Sequence, residues 1–372
     1  MARLQSQLSV RRNLDRVLPP SRSRGPDPSG RSIRLRPGNR PAKPIVVAGL
    51  SDSVLGPIDE RTPPWPGRRA FAGGAQVYVR HSPSTAPDGG EPALFVHGLA
   101  GSSNNWTDLQ GALNPWLDSE AIDLPGFGRS GPARRDDYSI PAFANTVIDY
   151  LQRSGRAPVH LFGNSMGGAI CIQVAARRPD LIRTLTLISP AVSDLRLSGP
   201  DNNAVALLLL IPGVRGAAER RMAAITPAQT AKDLIDVCFA NPSLVPANRM
   251  AEAVAEARER VHLPWAQEAL IRSVRGLIAN YVSPGRWSAW HRMAEISAPT
   301  LVVWGDRDKL VNVALAARVA RSIADARLLV LPGIGHTAQL EDVRSTARAF
   351  VSLLENLRPA KPAAPRSPGT RG

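Results

Sequence analysis

The segment His160-Leu161-Phe162-Gly163-Asn164-Ser165-Met166-Gly167-Gly168-Ala169-Ile170 organises the rest of this chain. It begins as a short apolar run, carries glycines two residues either side of Ser165, and ends in an apolar helical pattern. The spacing is G-x-S-x-G, that of a serine on a tight strand-to-helix turn. A serine held there takes a strained backbone conformation. The backbone beside it passes so close that a Cβ two residues away would clash. A helix that starts directly after Ser165 leaves unpaired N–H groups near its Oγ, where negative charge can be held.

Outward from this turn, strands and helices alternate. Upstream, Gln76–Arg80 alternates in polarity like a half-buried strand, and Ala93–Val96 is a continuous apolar run, as in a strand buried on both faces. That run leads into His97-Gly98-Leu99-Ala100-Gly101, and a helix is expected from Asn104 to Trp116. A strand at Ala121–Leu124 follows. Ser139 then offers an N-cap to a helix with Phe143, Val147, Ile148 and Leu151 on one face. Downstream of Ser165 comes a strand at Leu185–Ile188. The order predicts a mostly parallel sheet covered by helices on both faces, with ligands beyond the C-terminal strand ends. His97, Asp123 and Ser165 all lie at such ends.

From Val192 to Ser297 only helical patterns occur. Thr226-Pro227-Ala228-Gln229 reads as a capping box with proline at the first helical position. Two apolar stripes follow, one from Met250 to Val261 and one from Leu270 to Tyr281, both expected to be packing contacts. The apolar run Ala204–Ile211 is expected to pack within the same insertion, ahead of an acyl pocket or a membrane surface. The sheet pattern resumes at Thr300–Trp304 and ends at Leu328–Leu331, before a helix bearing Ala347, Phe350, Val351 and Leu354. The expected layout is a basic, Pro/Arg-rich disordered tail and linker at 1–68, a core at 69–191 and 298–357, a helical cap at 192–297, and a second disordered tail at 358–372. The run Ile45–Leu50 has no assignment, and no internal repeat is present.

Composition narrows the partners. The 372 residues are 43% hydrophobic, enough for a large core with an insertion. The net charge of +15 suggests a polyanion partner until its distribution is seen. Residues 1–44 carry +9 and residues 358–372 carry +4, which leaves +2 for the body. Weak contact of the N-terminal tail with an anionic membrane is an open expectation, and no specific nucleic-acid partner is expected. Cys171 and Cys238 are read as buried free thiols, which is compatible with the cytosol. His81, His262 and His291 show no ligand spacing, so no metal or cofactor is expected. The first residues lack the apolar stretch of a secretory signal, and no apolar run is long enough to span a bilayer. The expectation is a cytoplasmic protein, peripheral at a membrane if the tail binds lipid.

A serine hydroxyl becomes a nucleophile when a histidine, held by a carboxylate, takes its proton. His336 in Gly-Ile-Gly-His and Asp308 in Gly-Asp-Arg-Asp both lie just past strand ends, with Asp306 as rival to Asp308. His97 and Asp123 are expected to brace loops, and His160 to lie in the core.

With these segments in place, the chain from about residue 70 to 357 resembles the α/β-hydrolase fold family, in its serine-nucleophile, esterase- and lipase-like branch. The likeness lies in the His-Gly loop, Asp-Leu-Pro-Gly-Phe-Gly-Arg-Ser, Gly-Asn-Ser-Met-Gly-Gly, Trp-Gly-Asp-Arg-Asp and Gly-Ile-Gly-His, in that order. The resemblance implies an α/β-hydrolase fold with a helical cap. It implies Ser165 as nucleophile, His336 as base and Asp308 as the third member, with the backbone N–H groups of Leu99 and Met166 as the oxyanion hole. Asn105, Trp106, Asn164 and Thr337 are candidate pocket residues. Related epoxide hydrolases and haloalkane dehalogenases carry aspartate at the elbow, so Ser165 favours hydrolysis of a carboxylic ester or related acyl bond. The elbow also resembles that of meta-cleavage-product hydrolases, which break a C–C bond. Those proteins commonly have tryptophan after the histidine, where this chain has Thr337. C–C hydrolysis is therefore the alternative, with a non-catalytic binding protein on the same fold as another.

Overall fold

The computed structural model describes residues 43–59, 61–192 and 226–357. The expectations for both tails (apart from Lys43–Arg68) and for Ala204–Ile211 fall outside the described residues.

A nine-stranded sheet forms the centre. Its strands are β1 (Val46–Val47), β2 (Gly67–Ala72), β3 (Ala75–Ser82), β4 (Glu91–Val96), β5 (Leu117–Asp123), β6 (Val159–Asn164), β7 (Ile182–Ile188), β8 (Thr300–Gly305) and β9 (Ala326–Leu331), in the spatial order β1-β9-β8-β7-β6-β4-β5-β3-β2. The pairs from β1 to β5 in that order are parallel, and β3 and β2 close the far edge antiparallel. The main helices of the first half are α1 (Thr107–Leu113), α2 (Ile140–Ser154) and α3 (Met166–Arg177). Between β7 and β8 lie α4 (Pro227–Cys238), α5 (Ala247–Val261), α6 (Ala266–Val282) and α7 (Ala289–Ala294). Then come α8 (Ala314–Ser322), α9 (Ala338–Glu341) and α10 (Val343–Leu357).

The period of two along each strand divides the core between the two faces. Leu94, Val96, Leu161, Val302 and Trp304 join one cluster with residues of α2, α3 and α8. Their neighbours Ala93, Phe95, Phe162, Leu301 and Val303 join a second cluster with α1 and α10. There Phe95 stacks on Phe162 with ring centroids 4.2 Å apart, and Phe162 meets Phe350 at 4.7 Å. Burying one such side chain contributes about 1.5–3 kcal/mol, so the central strands β4, β6 and β8 are held from both sides. Helix ends follow local chemistry. Ser139 caps α2 by accepting from Ala142 N–H, and Gly155 ends it at φ +67.

Three expectations need correction. The ordered chain starts before residue 69: β1 pairs with β9, and Leu50, Leu55 and Ile58 pack on the second cluster. Two exposed valines are too short a run to show periodicity. The helix expected at 104–116 is a 3-10 turn (Ser103–Trp106) followed by α1, because β5 already begins at Leu117. The capping box at α4 is half formed: Thr226 Oγ1 accepts from Gln229 N–H at 3.2 Å, while the Gln229 side chain turns to Asp233.

Candidate active site

Ser165 sits between the last residue of β6 and the first of α3 with φ 54 and ψ −119, a strained conformation for a residue with a side chain. Contacts on both sides impose it. Its N–H donates to Ile188 C=O at 3.0 Å, and its C=O accepts from Ala169 N–H at 3.1 Å and Ala191 N–H at 2.8 Å. Its side chain does not cap α3, which leaves the hydroxyl uncommitted to the helix. The flanking glycines are steric requirements. A Cβ at Gly163 would lie 2.5 Å from Gly167 O, and one at Gly167 would lie 2.2 Å from Val96 O.

Three further loops meet this turn. Across the two that follow β8 and β9, His336 Nδ1 lies 3.0 and 2.9 Å from the two oxygens of Asp308. A carboxylate only accepts, so Nδ1 carries the proton and Nε2 is free to take one. Nε2 is buried with no hydrogen-bond partner among the described residues. Burial raises the Asp308 carboxyl, but His336 and the N–H groups of Val311 and Leu310 outweigh it and hold the group below its ordinary range. Asp306 instead accepts from Gly333 N–H at 2.7 Å and braces a turn.

The third loop follows β4. A Cβ at Gly98 would stand 3.1 Å from Ser165 Cβ, so the backbone leading into Leu99 runs directly beside the serine. Met166 opens α3, where the first N–H groups have no intrahelical acceptor. His97 and Asp123 brace this region. His97 Nδ1 donates to Gly98 C=O at 2.7 Å, and its Nε2 accepts from Leu124 N–H at 3.0 Å. Burial pushes the His97 pKa down, which matches the neutral ring that this pattern requires. Asp123 accepts from Ser103 N–H at 2.6 Å and Arg129 N–H at 2.9 Å.

Ser165, His336, Leu99, Asn105, Asn164 and Thr337 all border one cavity of about 1560 Å³. Asn164 Nδ2 donates to Ile188 C=O at 3.1 Å and His336 C=O at 3.2 Å, tying the elbow to the histidine loop. Trp106 is corrected: it is fully buried in the second core cluster, 5.2 Å from the Phe95 ring of the interior strand β4, and does not border the cavity. The stripe on α6 packs as expected, with Leu270, Leu277 and Tyr281 against the core, and it also faces open space. Leu270, Val274, Leu277, Ile278 and Tyr281 line the cavity, as does Cys238, which is only partly buried. His160 is core, bonded to Thr184 and Glu91. No group of His, Cys, Asp and Glu suited to a metal occurs among the described residues.

Sequence reasoning did not find Glu341 and Lys309. Glu341 accepts from Gly335 N–H at 3.0 Å and Ala240 N–H at 2.8 Å, while His336 N–H donates to Cys238 C=O at 2.7 Å. Lys309 Nζ donates to Asp236 C=O at 2.8 Å and Phe239 C=O at 2.9 Å. The C-terminal end of α4 is thus bonded to the loop of His336 and to the residue after Asp308. Partners 101 and 70 residues apart give no local signal.

Known proteins are similar to this chain in sequence and in fold. The profile of the alpha/beta hydrolase fold family matches residues 92–343. The chain is 31% identical over 268 residues to a dihydrolipoyllysine-residue acetyltransferase component of an acetoin cleaving system from Pseudomonas putida, a match covering 72% of this chain and 64% of that one. It is 26% identical over 288 residues to Lipase 3 of Moraxella sp. (strain TA144), covering 77% of this chain and 83% of the lipase. Among solved structures, a meta-cleavage product hydrolase of Pseudomonas fluorescens IP01 superposes with a TM-score of 0.62 at 19% identity, covering 78% of this chain and 98% of that one. The nine-stranded sheet and the profile match across most of its length agree, and the chain belongs to the alpha/beta hydrolase fold family.

Proposed function

We propose that this protein is a serine hydrolase of carboxylic esters with an apolar acyl group. The observation that carries the reading is the cavity: Ser165 and His336 border it, and its far wall is the apolar stripe of α6. In the proposed reaction His336 Nε2 takes the proton of Ser165 Oγ as the oxygen attacks the ester carbonyl. The N–H groups of Leu99 and Met166 hold the oxyanion, and each such donor is worth roughly 3 kcal/mol at the transition state. The protonated histidine, stabilised by ionised Asp308, then passes its proton to the departing alkoxide. Water, activated by the same base, attacks the acyl-enzyme and frees the acid. The helices between β7 and β8 act as the cap that shapes the acyl site.

The Moraxella relative named a lipase supports ester chemistry. The meta-cleavage neighbour fits the C–C alternative in fold only. That alternative calls for a cation placed for an acidic substrate; of the arginines bordering this cavity, Arg249 is bonded to Asp108 and Glu252, Arg61 to Asp59, and Arg260 donates from Nη1 to Ala100 C=O. The test is turnover of p-nitrophenyl esters by the wild type and Ser165→Ala. The wild type should prefer medium or long acyl chains, and Ser165→Ala should lose at least about a thousandfold in kcat. Retained turnover in Ser165→Ala rejects the reading.

A further inference from the structure

The loop that carries Leu99 is fastened from two sides, and one of them is a helix outside the sheet. From the sheet side, Asp123 holds Ser103 N–H, and Gly101 N–H donates to Gly98 C=O at 3.1 Å. From the other side comes α5. Glu256 Oε2 accepts from Ser102 Oγ–H at 2.8 Å and from Asn104 Nδ2–H at 3.0 Å. One turn later, Arg260 Nη1 donates to Ala100 C=O at 3.3 Å, and its guanidinium lies 5.4 Å from the centre of the Phe127 ring. The spacing of four places both side chains on one helix face. Between these grips Ala100 has φ +61, a left-handed backbone that a residue with a Cβ holds only when its surroundings impose it.

We infer that Glu256 and Arg260 are positioning residues for the oxyanion loop, so that the Leu99 N–H is aimed at the reacting carbonyl only while α5 is seated on residues 100–104. This rests on the ester-hydrolase reading, in which Leu99 is an oxyanion donor. It makes the helical insertion part of the catalytic apparatus as well as a wall of the acyl site.

The clamp has a pH dependence of definite sign. Burial pushes the Glu256 carboxyl up to about 7, with Asp123 adding to the rise and Ser102, Asn104 and Arg260 opposing it. Arg80 of β3 and Arg129 after β5 face the same small polar cavity of about 140 Å³, together with Glu252 and Glu259 of α5. A protonated Glu256 is a poorer acceptor for two donors and no longer balances Arg260. The grip therefore weakens as pH falls through about 7.

The test uses the full chain and three variants, Glu256→Ala, Glu256→Gln and Arg260→Met, with two readouts. The first is amide hydrogen exchange of residues 98–105, which does not depend on any substrate. Exchange there should quicken in Glu256→Ala and Arg260→Met, while β6 and β8 stay protected. The second is p-nitrophenyl ester kinetics from about pH 5.5 to 8.5. Glu256→Ala should lose roughly 10- to 100-fold in kcat with little change in KM, the scale expected when a catalytic donor is misplaced. Glu256→Gln should recover part of that loss, and its acid limb should follow one ionisation where the wild type follows two. Unchanged exchange at 98–105, or identical pH profiles for the wild type and Glu256→Gln, overturns the inference. Quickened exchange alongside ester turnover that persists in Ser165→Ala upholds the clamp and rejects the ester-hydrolase reading.

Discussion

At Ser165 one residue's backbone carries the strain of the turn, and its neighbours carry the space. The φ of 54 holds the serine at the tip of the turn, and Gly167 lets α3 pass against the end of β4. The methyl of Gly167→Ala would be 2.2 Å from Val96 O and 2.5 Å from His97 O, both rigid backbone. Overpacking of this kind costs about 1–3 kcal/mol. Urea denaturation should show that loss, and ester turnover should fall with it because the Val96–Gly98 backbone must move. An unchanged midpoint and rate would mean that the close approach is not a constraint. The residues at this scale were legible in the sequence. Ser165, its glycines, His336 and Asp308 each sit in a short local pattern; Ser165 and His336 border one cavity, and Asp308 lies buried against the His336 ring. Trp106 was not legible, since its place depends on which way a four-residue turn rotates it.

Elements show what local patterns leave out. The strands buried on both faces were plain, because Ala93–Val96 and Thr300–Trp304 admit no polar face. β2, with exposed Arg68, Arg69 and Phe71, has no such signature and is a strand because it pairs with β3. The stripe on α6 gave the correct face of the helix but not what that face meets, since periodicity does not distinguish a packed partner from a cavity. Long-range bonds such as Glu341 to Ala240 are invisible to any window along the chain. They nonetheless hold the loop that carries His336. Glu341→Ala leaves Gly335 N–H and Ala240 N–H without their acceptor and loosens the histidine loop from α4. It should lower kcat about tenfold or more with KM little altered, the pattern of a displaced catalytic group. A rise in KM at constant kcat would instead place Glu341 in substrate binding.

Across the whole molecule, the sheet presents four loops at the C-terminal ends of β4, β6, β8 and β9, and helices between β7 and β8 border the same cavity. This division explains why the fold and the candidate residues were readable while specificity was not. The proposed triad sits at strand ends that the strand order sets, whereas the proposed acyl site depends on how α4, α5 and α6 are seated. Chain-length preference tests that seating. Shortening the apolar wall with Leu277→Ala should move the optimum toward longer acyl chains by enlarging the cavity, measured as kcat/KM across an ester series. An unshifted optimum would remove α6 from the acyl site. Among the described residues no helix is long and apolar enough to cross a membrane.

The central claim is that Ser165 is a nucleophile activated by His336. Its most direct test is reaction of the intact protein with a fluorophosphonate, followed by mass spectrometry of the labelled peptide. The account predicts a single adduct on Ser165, formed orders of magnitude more slowly in His336→Ala and absent in Ser165→Ala. No adduct on the wild type, or one that forms at the same rate without His336, would contradict it.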